Sequence, residues 1–247
     1  MELQGKVALV TGAGSGIGRA TALALAAEGV HVVVVDRDAT TATETVETLV
    51  ALGGSGVAVQ ADVSVPDDVR RMFAEAGRAY GGIDIVHNNA GLISGEPIWP
   101  DGSLERIAAV VSVNLAGVAM GTQQGILELR RRGGGVIVNT ASVAALAPMA
   151  SDPVYSATKA GVVRIVESCA GFALEGIRVN AVLPGIVDTD MTMKHSGDGT
   201  RPAAWLRPVL ATTPMLHTDD IARVVLELIR DDNAVAQCRV VGNARTP

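Results

Sequence analysis

The run Thr11-Gly12-Ala13-Gly14-Ser15-Gly16-Ile17-Gly18 constrains this chain more than any other stretch. It follows a short apolar segment, Lys6 to Val10. It precedes Ala20, Leu23, Ala24 and Ala27, which recur at helical spacing until Gly29. Strand, glycine-rich turn and helix are thus in the order that a dinucleotide phosphate site requires. Glycines let the backbone approach the anion, and the helix start offers unpaired N–H groups and the positive end of its dipole. A glycine turn alone often does no more than close a bend. Here a second strand follows, Val30 to Val35, ending at Asp36. An acidic residue about 20 positions beyond the turn is placed to accept hydrogen bonds from ribose hydroxyls.

Gly12, Ser15, Gly16, Ile17 and Gly18 are therefore candidate cofactor contacts, with Asp36 and its neighbour Arg37 at the ribose end. The carboxylate of Asp36 would repel a 2′-phosphate and favours NAD, with NADP the weaker candidate. Arg37 could receive such a phosphate, but the glycine turn carries Ser15 and no Lys or Arg to help hold one. A purely local reading of Asp36, as a cap or turn former before Asp38-Ala39-Thr40, stands beside this.

The alternation continues down the chain. Helices are expected over Thr40 to Leu52, Pro66 to Tyr80, Ser103 to Arg132 (broken in register at Asn114), Pro153 to Leu174, and Thr218 to Arg230 with Thr218 as cap. Strands are expected over Val57 to Asp62, Ile83 to His87, Val136 to Ser142, Ile177 to Leu183 and Arg239 to Val241. Strands alternating with helices of this length imply parallel pairing with right-handed crossovers. The expected fold is α/β: a doubly wound (Rossmann) arrangement of one mostly parallel, seven-stranded sheet with helices on both faces. It forms a single domain over 1–247 without an internal boundary. Ile186 to His217 has no strand or helix of its own, which in a compact domain marks a functional lid or a disordered stretch.

Composition narrows the function classes. Apolar residues make up 48% of the chain but aromatics only 2%. The core must then be built from Val, Ala, Leu and Ile, which suits helices packed closely on a β-branched sheet. A net charge of −6 argues against nucleic acid as a partner, because phosphate-backbone binding needs a basic face. Arg130-Arg131-Arg132 before Gly133-Gly134-Gly135 is where a helix end wants positive charge and a glycine stop. Cys169 and Cys238 form no CxxC pair and read as reduced thiols of a cytoplasmic protein. The first residues show no basic-then-apolar leader, and no apolar run approaches the roughly 18 residues of a membrane span, so a soluble chain is expected. His31, His87, His195 and His217 lack metal-ligand spacing, so no metal is expected. His31 and His87 fall on strands as structural residues, and His195 falls in the lid.

Tyr155-Ser156-Ala157-Thr158-Lys159 opens a helix that continues through Val162, Val163, Ile165 and Val166. Residues four apart share a helix face, so the phenol and the ammonium would point into one space. A phenol has a pKa of about 10, and a nearby positive charge lowers it. The pair could take a proton from an alcohol or give one to a carbonyl. A solvated Tyr and Lys on one face is the bland alternative. The strand ends weigh against it: Gly12 to Gly18, Asp36, Asp62-Val63, Asn88 to Gly91, Ser142 and Pro184-Gly185 all fall where such sheets bind ligands, although strands generally end in turn residues.

Taken together, Thr11-Gly-x-x-x-Gly16-x-Gly18, Asn88-Asn89-Ala90-Gly91, Asn114, Ser142, Tyr155-x-x-x-Lys159 and Pro184-Gly185 resemble the short-chain dehydrogenase/reductase family in its classical form, from Lys6 to about Met191. The resemblance implies Tyr155 as general acid/base. Lys159 would lower its pKa and hold the nicotinamide ribose, Ser142 would bond the substrate oxygen, and Asn114 would distort its helix and hold a water. It further implies adenine contacts from Asp62 and Val63, a cofactor lining from Asn89 and Gly91, and carboxamide contacts from Val187 and Thr189.

The expected activity is NAD-dependent interconversion of a secondary alcohol and a ketone, in a homotetramer or dimer. An NADPH-dependent 3-oxoacyl-thioester reductase and a catalytically silent dinucleotide sensor are the alternatives. Ser94 to Ser103, with Trp99, and the segment carrying Met191, Met193, Trp205 and Leu206 are where substrate preference should reside. With Pro148 and Met149 they form either an apolar pocket or the packing of the lid or a subunit contact. The end of the chain, Val240 to Pro247, lacks the glycine-rich turn common in the family.

Overall fold

The structure, a computed structural model, describes residues 1–195 and 202–243, with side chains at 194 and 195 excluded. Seven strands form one sheet in the order β3-β2-β1-β4-β5-β6-β7. They are β1 (Val7–Thr11), β2 (His31–Asp36), β3 (Ser55–Gln60), β4 (Ile85–Asn88), β5 (Gly135–Thr140), β6 (Ile177–Pro184) and β7 (Cys238–Val241). Every pairing is parallel, where the sequence promised only a mostly parallel sheet.

Parallel strands buried on both faces show in the side-chain period. Ala8 and Val10 of β1, with Val32 and Val34 of β2, join Leu25, Ile221, Val225 and Leu228 on one side. Val7, Leu9, Val33 and Val35 join Met72, Phe73, Leu129, Val162 and Val166 on the other. The first layer belongs to α1 (Gly16–Ala27), α2 (Ala39–Ala51) and α8 (Thr218–Arg230). The second belongs to α3 (Pro66–Tyr80), α5 (Val118–Arg132) and α6 (Pro153–Ser168). With so few aromatics, the layers close on small residues. A Cβ on Gly121 would lie 2.3 Å from Oδ1 of Asn88, and one on Gly125 would lie 3.1 Å from Cδ1 of Ile137.

α4 (Leu104–Val111) runs into α5 through a wider π-turn, Ser112–Gly117, which contains Asn114. The continuous run Leu104–Arg132 is long and apolar enough to cross a membrane by length and composition. The sequence reading, which found no apolar run of that length, did not register it. In this fold its second half lies on the sheet.

Several strands are shifted by one or two residues from the sequence reading: β3 stops at Gln60, β4 starts at Ile85 and β5 stops at Thr140. Three departures are larger. α6 stops at Ser168 and a tighter turn, Ala170–Glu175, follows it, ending at Gly176 with φ 73°. α8 is capped by His217 instead of Thr218: the His217 N–H donates to the Asp220 carboxylate three residues on. The segment after β6 has structure of its own, namely a turn at Met191–His195, the short helix α7 (Arg207–Leu210), and a parallel bridge between Val187 and Leu216. The side chain of His195 and the tail from 244 to 247 lie outside the described residues.

Candidate active site

Strand order reverses between β1 and β4, and ligands of such sheets bind beyond the strand ends at that point. The glycine turn follows β1 and Asn88–Gly91 lies at the end of β4, so the two meet there. Gly12, at φ 63°, packs against Ala90, where a Cβ would lie 2.9 Å from its Cα. A Cβ on Gly18 would lie 2.2 Å from the Gly12 carbonyl oxygen and 2.6 Å from Nδ2 of Asn89. A Cβ on Gly14 would meet Thr41 at 2.2 Å and the Asp36 carboxylate at 2.9 Å. No side chain caps the start of α1 at Ser15, which is exposed. This cradle of bare backbone and uncapped helix start fits a dinucleotide phosphate.

The Asp36 carboxylate closes the far side. Its Oδ2 accepts from the Gly14 N–H at 2.9 Å and its Oδ1 from the Asp38 N–H at 3.1 Å. Of the local roles foreseen for Asp36, it takes the turn contact to Asp38, whereas the helix cap is Asp38. Arg37 is exposed. Asp62 turns Oδ1 to the N–H and hydroxyl of Ser64, at 2.8 and 2.6 Å. Val63 is buried against Gly117. Val187 is buried, and the methyl of Thr189 lies 3.3 Å from where a Gly16 Cβ would stand. The segment after β6 therefore closes onto the glycine turn.

Asn89 ties the two strand ends together. Its Nδ2 donates to the carbonyls of Thr11 at 3.1 Å and Gly12 at 3.3 Å, which leaves Oδ1 to accept from the Thr140 hydroxyl at 3.2 Å. With that proton committed, Nε2 of His87 is the donor in its 2.9 Å bond to Thr140. Nδ1 of His87 is then left without a partner in a fully buried ring. Burial pushes the His87 pKa down to about 3.

Asp152 and Pro153 start α6: Oδ1 of Asp152 accepts from the Tyr155 N–H at 2.9 Å. One turn on, Lys159 is buried, and its Nζ lies 5.6 Å from the centre of the Tyr155 ring and 2.8 Å from the Thr140 carbonyl oxygen, to which it donates. Ser142 arrives from the end of β5. The Ala144 N–H donates to its hydroxyl oxygen at 3.1 Å, and Ser156 on α6 bonds the Ala144 carbonyl at 2.7 Å.

Burial raises the phenol pKa of Tyr155, the Ser142 hydroxyl opposes that rise, and the Asp152 carboxylate adds to it. Burial also lowers Lys159 to about 8. The net direction at Tyr155 is opposite to the lowering expected from its lysine. The reason is that burial disfavours the phenolate and Lys159 aims its ammonium at Thr140.

Asn114 bonds Leu92 twice, accepting from its N–H and donating to its carbonyl, each at 2.7 Å, and reaches the Thr158 hydroxyl at 3.4 Å. These bonds account for the π-turn: the helix widens to give its side chain to the strand-end loop. A Cβ on Gly91 would lie 3.5 Å from Asn114 Oδ1 and 3.6 Å from Lys159 Nζ, so Gly91 passes between them. Among the described residues, no group of three His, Cys, Asp or Glu side chains gathers as a metal site.

Ser142, Tyr155, Lys159, Asn114, Asn89 and Gly91 thus converge. Asp62 and Val63 stand at the end of β3, on the far side of β2, with side chains engaged locally. Thr140 and Asp152 were missed by the sequence reading. The Asp-Pro pair at the helix start was a legible signal for the second, whereas nothing in the sequence marks the first.

A dinucleotide cradle beside a buried phenol, ammonium and hydroxyl defines an oxidoreductase of the nucleotide-binding α/β class. The sequence model described as short chain dehydrogenase matches residues 6–199. The chain belongs to the short-chain dehydrogenase/reductase family, whose members bind NAD(H) or NADP(H) and act on alcohols and ketones. It is 35% identical to a cyclohexanol dehydrogenase of Acinetobacter sp., over 92% of this chain and 88% of that one. It is 39% identical to 3beta-hydroxysteroid dehydrogenase 1 of Eggerthella lenta, over 82% and 78%. A solved structure of 3-ketoacyl-(acyl-carrier-protein) reductase from Brucella melitensis, complexed with NADH, superposes with a TM-score of 0.86 at 31% identity, covering 97% of each chain. Family membership makes the chain an enzyme acting on CH–OH groups and sets the silent-sensor reading aside.

Proposed function

We propose that the protein is an NAD-dependent dehydrogenase that interconverts a hydrophobic secondary alcohol and its ketone. The observation that carries this is the meeting of the Tyr155 phenol, the Lys159 ammonium and the Ser142 hydroxyl beside the glycine cradle. When bound, the nicotinamide supplies the hydride acceptor or donor. Gly12, Ser15, Gly16, Ile17 and Gly18 hold the pyrophosphate, and Asp36 and Arg37 stand at the adenosine ribose. Asp62 and Val63 stand toward the adenine, while Asn89, Gly91, Val187 and Thr189 line the nicotinamide half. Tyr155 and Lys159 also take part in cofactor binding, through the ribose.

Each residue then has a task. Ser142 donates a hydrogen bond to the substrate oxygen. Tyr155 gives its proton to that oxygen in reduction and, as phenolate, removes it in oxidation. Lys159, fixed on Thr140, favours the phenolate when the site works in the oxidative direction. Asn114 holds Leu92, and with it the loop that borders the substrate. Residues 186–217 act as the lid of a single catalytic domain over 1–247, and Met191, Met193 and Leu206 give the lid an apolar character.

The competing reading is a 3-oxoacyl-thioester reductase using NADPH. The reductase named for the Brucella structure, itself complexed with NADH, supports the thioester half of that reading only, and the Asp36 carboxylate at the ribose end speaks against the phosphate of NADPH. Measuring kcat/KM with both cofactors on a panel of secondary alcohols, ketones and 3-oxoacyl thioesters separates the two. NADPH preference or thioester preference refutes the first reading.

The enzyme is further read as a cytoplasmic homo-oligomer, a dimer or tetramer. Two unpaired cysteines support the location, and an open apolar groove along Trp99, Ile107, Val111, Leu115 and Val154 supports a second copy. Sedimentation as a monomer at working concentration counts against that assembly.

A further inference from the structure

Asp152 carries more than a helix start needs. A Ser or Asn would cap α6 without placing a charge inside the protein, yet Asp152 is 3% exposed. Among the described residues no cation pairs with it. Its oxygens are committed to two places at once. Oδ1 accepts from the Tyr155 N–H and from the Ser94 hydroxyl, at 2.9 and 2.8 Å, and Oδ2 accepts from the Ser94 N–H at 2.8 Å.

Ser94 belongs to the loop between β4 and α4. The Ser94 carbonyl accepts from Nε of Arg106 at 2.9 Å, and the Trp99 N–H donates to the Ser151 carbonyl at 3.3 Å. From the same loop, the Glu96 carboxylate accepts from the Ala204 N–H at 3.2 Å. The loop is therefore held on the start of α6 at Ser94 and Trp99, and between them, at Glu96, on the segment before α7.

We propose that Asp152 is a positioning residue for Tyr155: one buried carboxylate fixes the backbone that carries the phenol and, through Ser94, the loop that borders the substrate, so that the two keep a common register. This rests on the reading of Tyr155 as the proton-transferring group. The carboxylate also acts on the phenol through space. Asp152, the cap of α6, and Lys159, on α6, are the charged groups set against it among the described residues, and Ser142, just past β5, adds its hydroxyl. Like charge disfavours the phenolate, so Asp152 adds to the burial that keeps Tyr155 in its proton-donating form, while a nearby ammonium such as that of Lys159 acts in the opposite sense.

The chain has two tyrosines, Tyr80 and Tyr155, which makes the phenol directly readable. Tyr80→Phe keeps the ring stacked on His31 at 5.0 Å and leaves Tyr155 as the sole source of phenolate absorbance. In that background Asp152→Asn, which retains a capping oxygen and loses the charge, is expected to titrate at lower pH than its parent. Superimposable titrations overturn the proposal. If Asp152→Asn does not fold, Asp152→Ser provides the same comparison.

Ser94→Ala leaves the cap and the charge intact and removes one link to the loop. It is expected to raise KM for the alcohol by about 3- to 10-fold, the worth of one hydrogen bond to a charged group, and to raise it more than it lowers kcat. An unchanged KM refutes the coupling. A shifted phenol titration in a protein that oxidises no secondary alcohol sustains the charge effect and refutes the functional reading instead. Turnover with an unmoved titration does the reverse.

Discussion

Moving this protein from pH 7 to pH 5 is expected to cost about 2 kcal/mol of stability through one side chain, His87. The ring is fully buried in β4 and donates through Nε2 to Thr140, and its Nδ1 faces no partner. A proton placed on Nδ1 would be an unpaired charge in the core. Burial accordingly holds the pKa at about 3, against an ordinary 6.5. Between those two values the unfolded chain binds a proton that the folded chain does not, so stability falls as pH falls. The contribution is intact above about 6.5. Below that, each pH unit removes about 1.4 kcal/mol until the folded pKa is reached. The depressed carboxylates Asp68, Glu105, Glu175 and Asp232 titrate below their usual 3.8 and 4.5, beneath the window from 6.5 to 5.

Urea unfolding followed by circular dichroism at pH 7, 6 and 5 measures the slope. His87→Gln is the control, because its amide nitrogen can donate to Thr140 in place of Nε2 but does not titrate. The wild type should lose about 2 kcal/mol across the range and the variant much less. Equal losses in both proteins would falsify the assignment of the acid sensitivity to His87. They would also cast doubt on the donor chain from His87 through Thr140 to Asn89.

Four further outcomes follow from the site. Tyr155→Phe should lower kcat by about 10²- to 10⁴-fold while NAD binding, read by fluorescence titration, is nearly retained; unchanged turnover refutes its role. Alcohol oxidation by the wild type should rise with pH and ketone reduction fall, because burial holds Tyr155 in the protonated form that only reduction uses. Pre-steady-state rates in both directions check the opposite signs. Asp36→Ala should narrow the preference for NAD over NADP in kcat/KM, and an unaltered ratio removes Asp36 from cofactor selection. Asn114→Ala strips both bonds from Leu92 and is expected to cost about 2–4 kcal/mol in denaturant unfolding, with loss of activity as the loop is freed.

The doubly wound fold was legible because its signals are local and repeated. Apolar runs in the strands and helix-period stripes recur along the chain, with glycine stops after most of the helices, and α3 begins and ends where Pro66 and Tyr80 indicated. Handedness rules leave few ways to wind such a chain, and the strand order itself comes from the structure. Boundaries failed where a side chain two or three residues away decides the end. His217 and Asp220 cap α8 reciprocally, and Gly171 and Gly176 sit in the tight turn that follows α6.

The site was legible in the residues that share a strand end or a helix face, and less so wherever a second use of the same atoms decides the outcome. Spacing put Lys159 beside Tyr155, and the structure keeps it there, but its ammonium is also held by the carbonyl of Thr140, 19 positions away in the chain. Sequence spacing reports proximity; it does not report how much of a charge a neighbour has already claimed, nor how dry the space around it is. The same argument covers Asp62, whose Oδ1 is committed to Ser64, and Asn114, whose whole amide is committed to Leu92 and Thr158. The phenol pKa is set by burial first, then by Ser142 and Asp152. The sequence reading weighed only the lysine one turn on, and burial is not visible from spacing, which is why it expected the opposite direction.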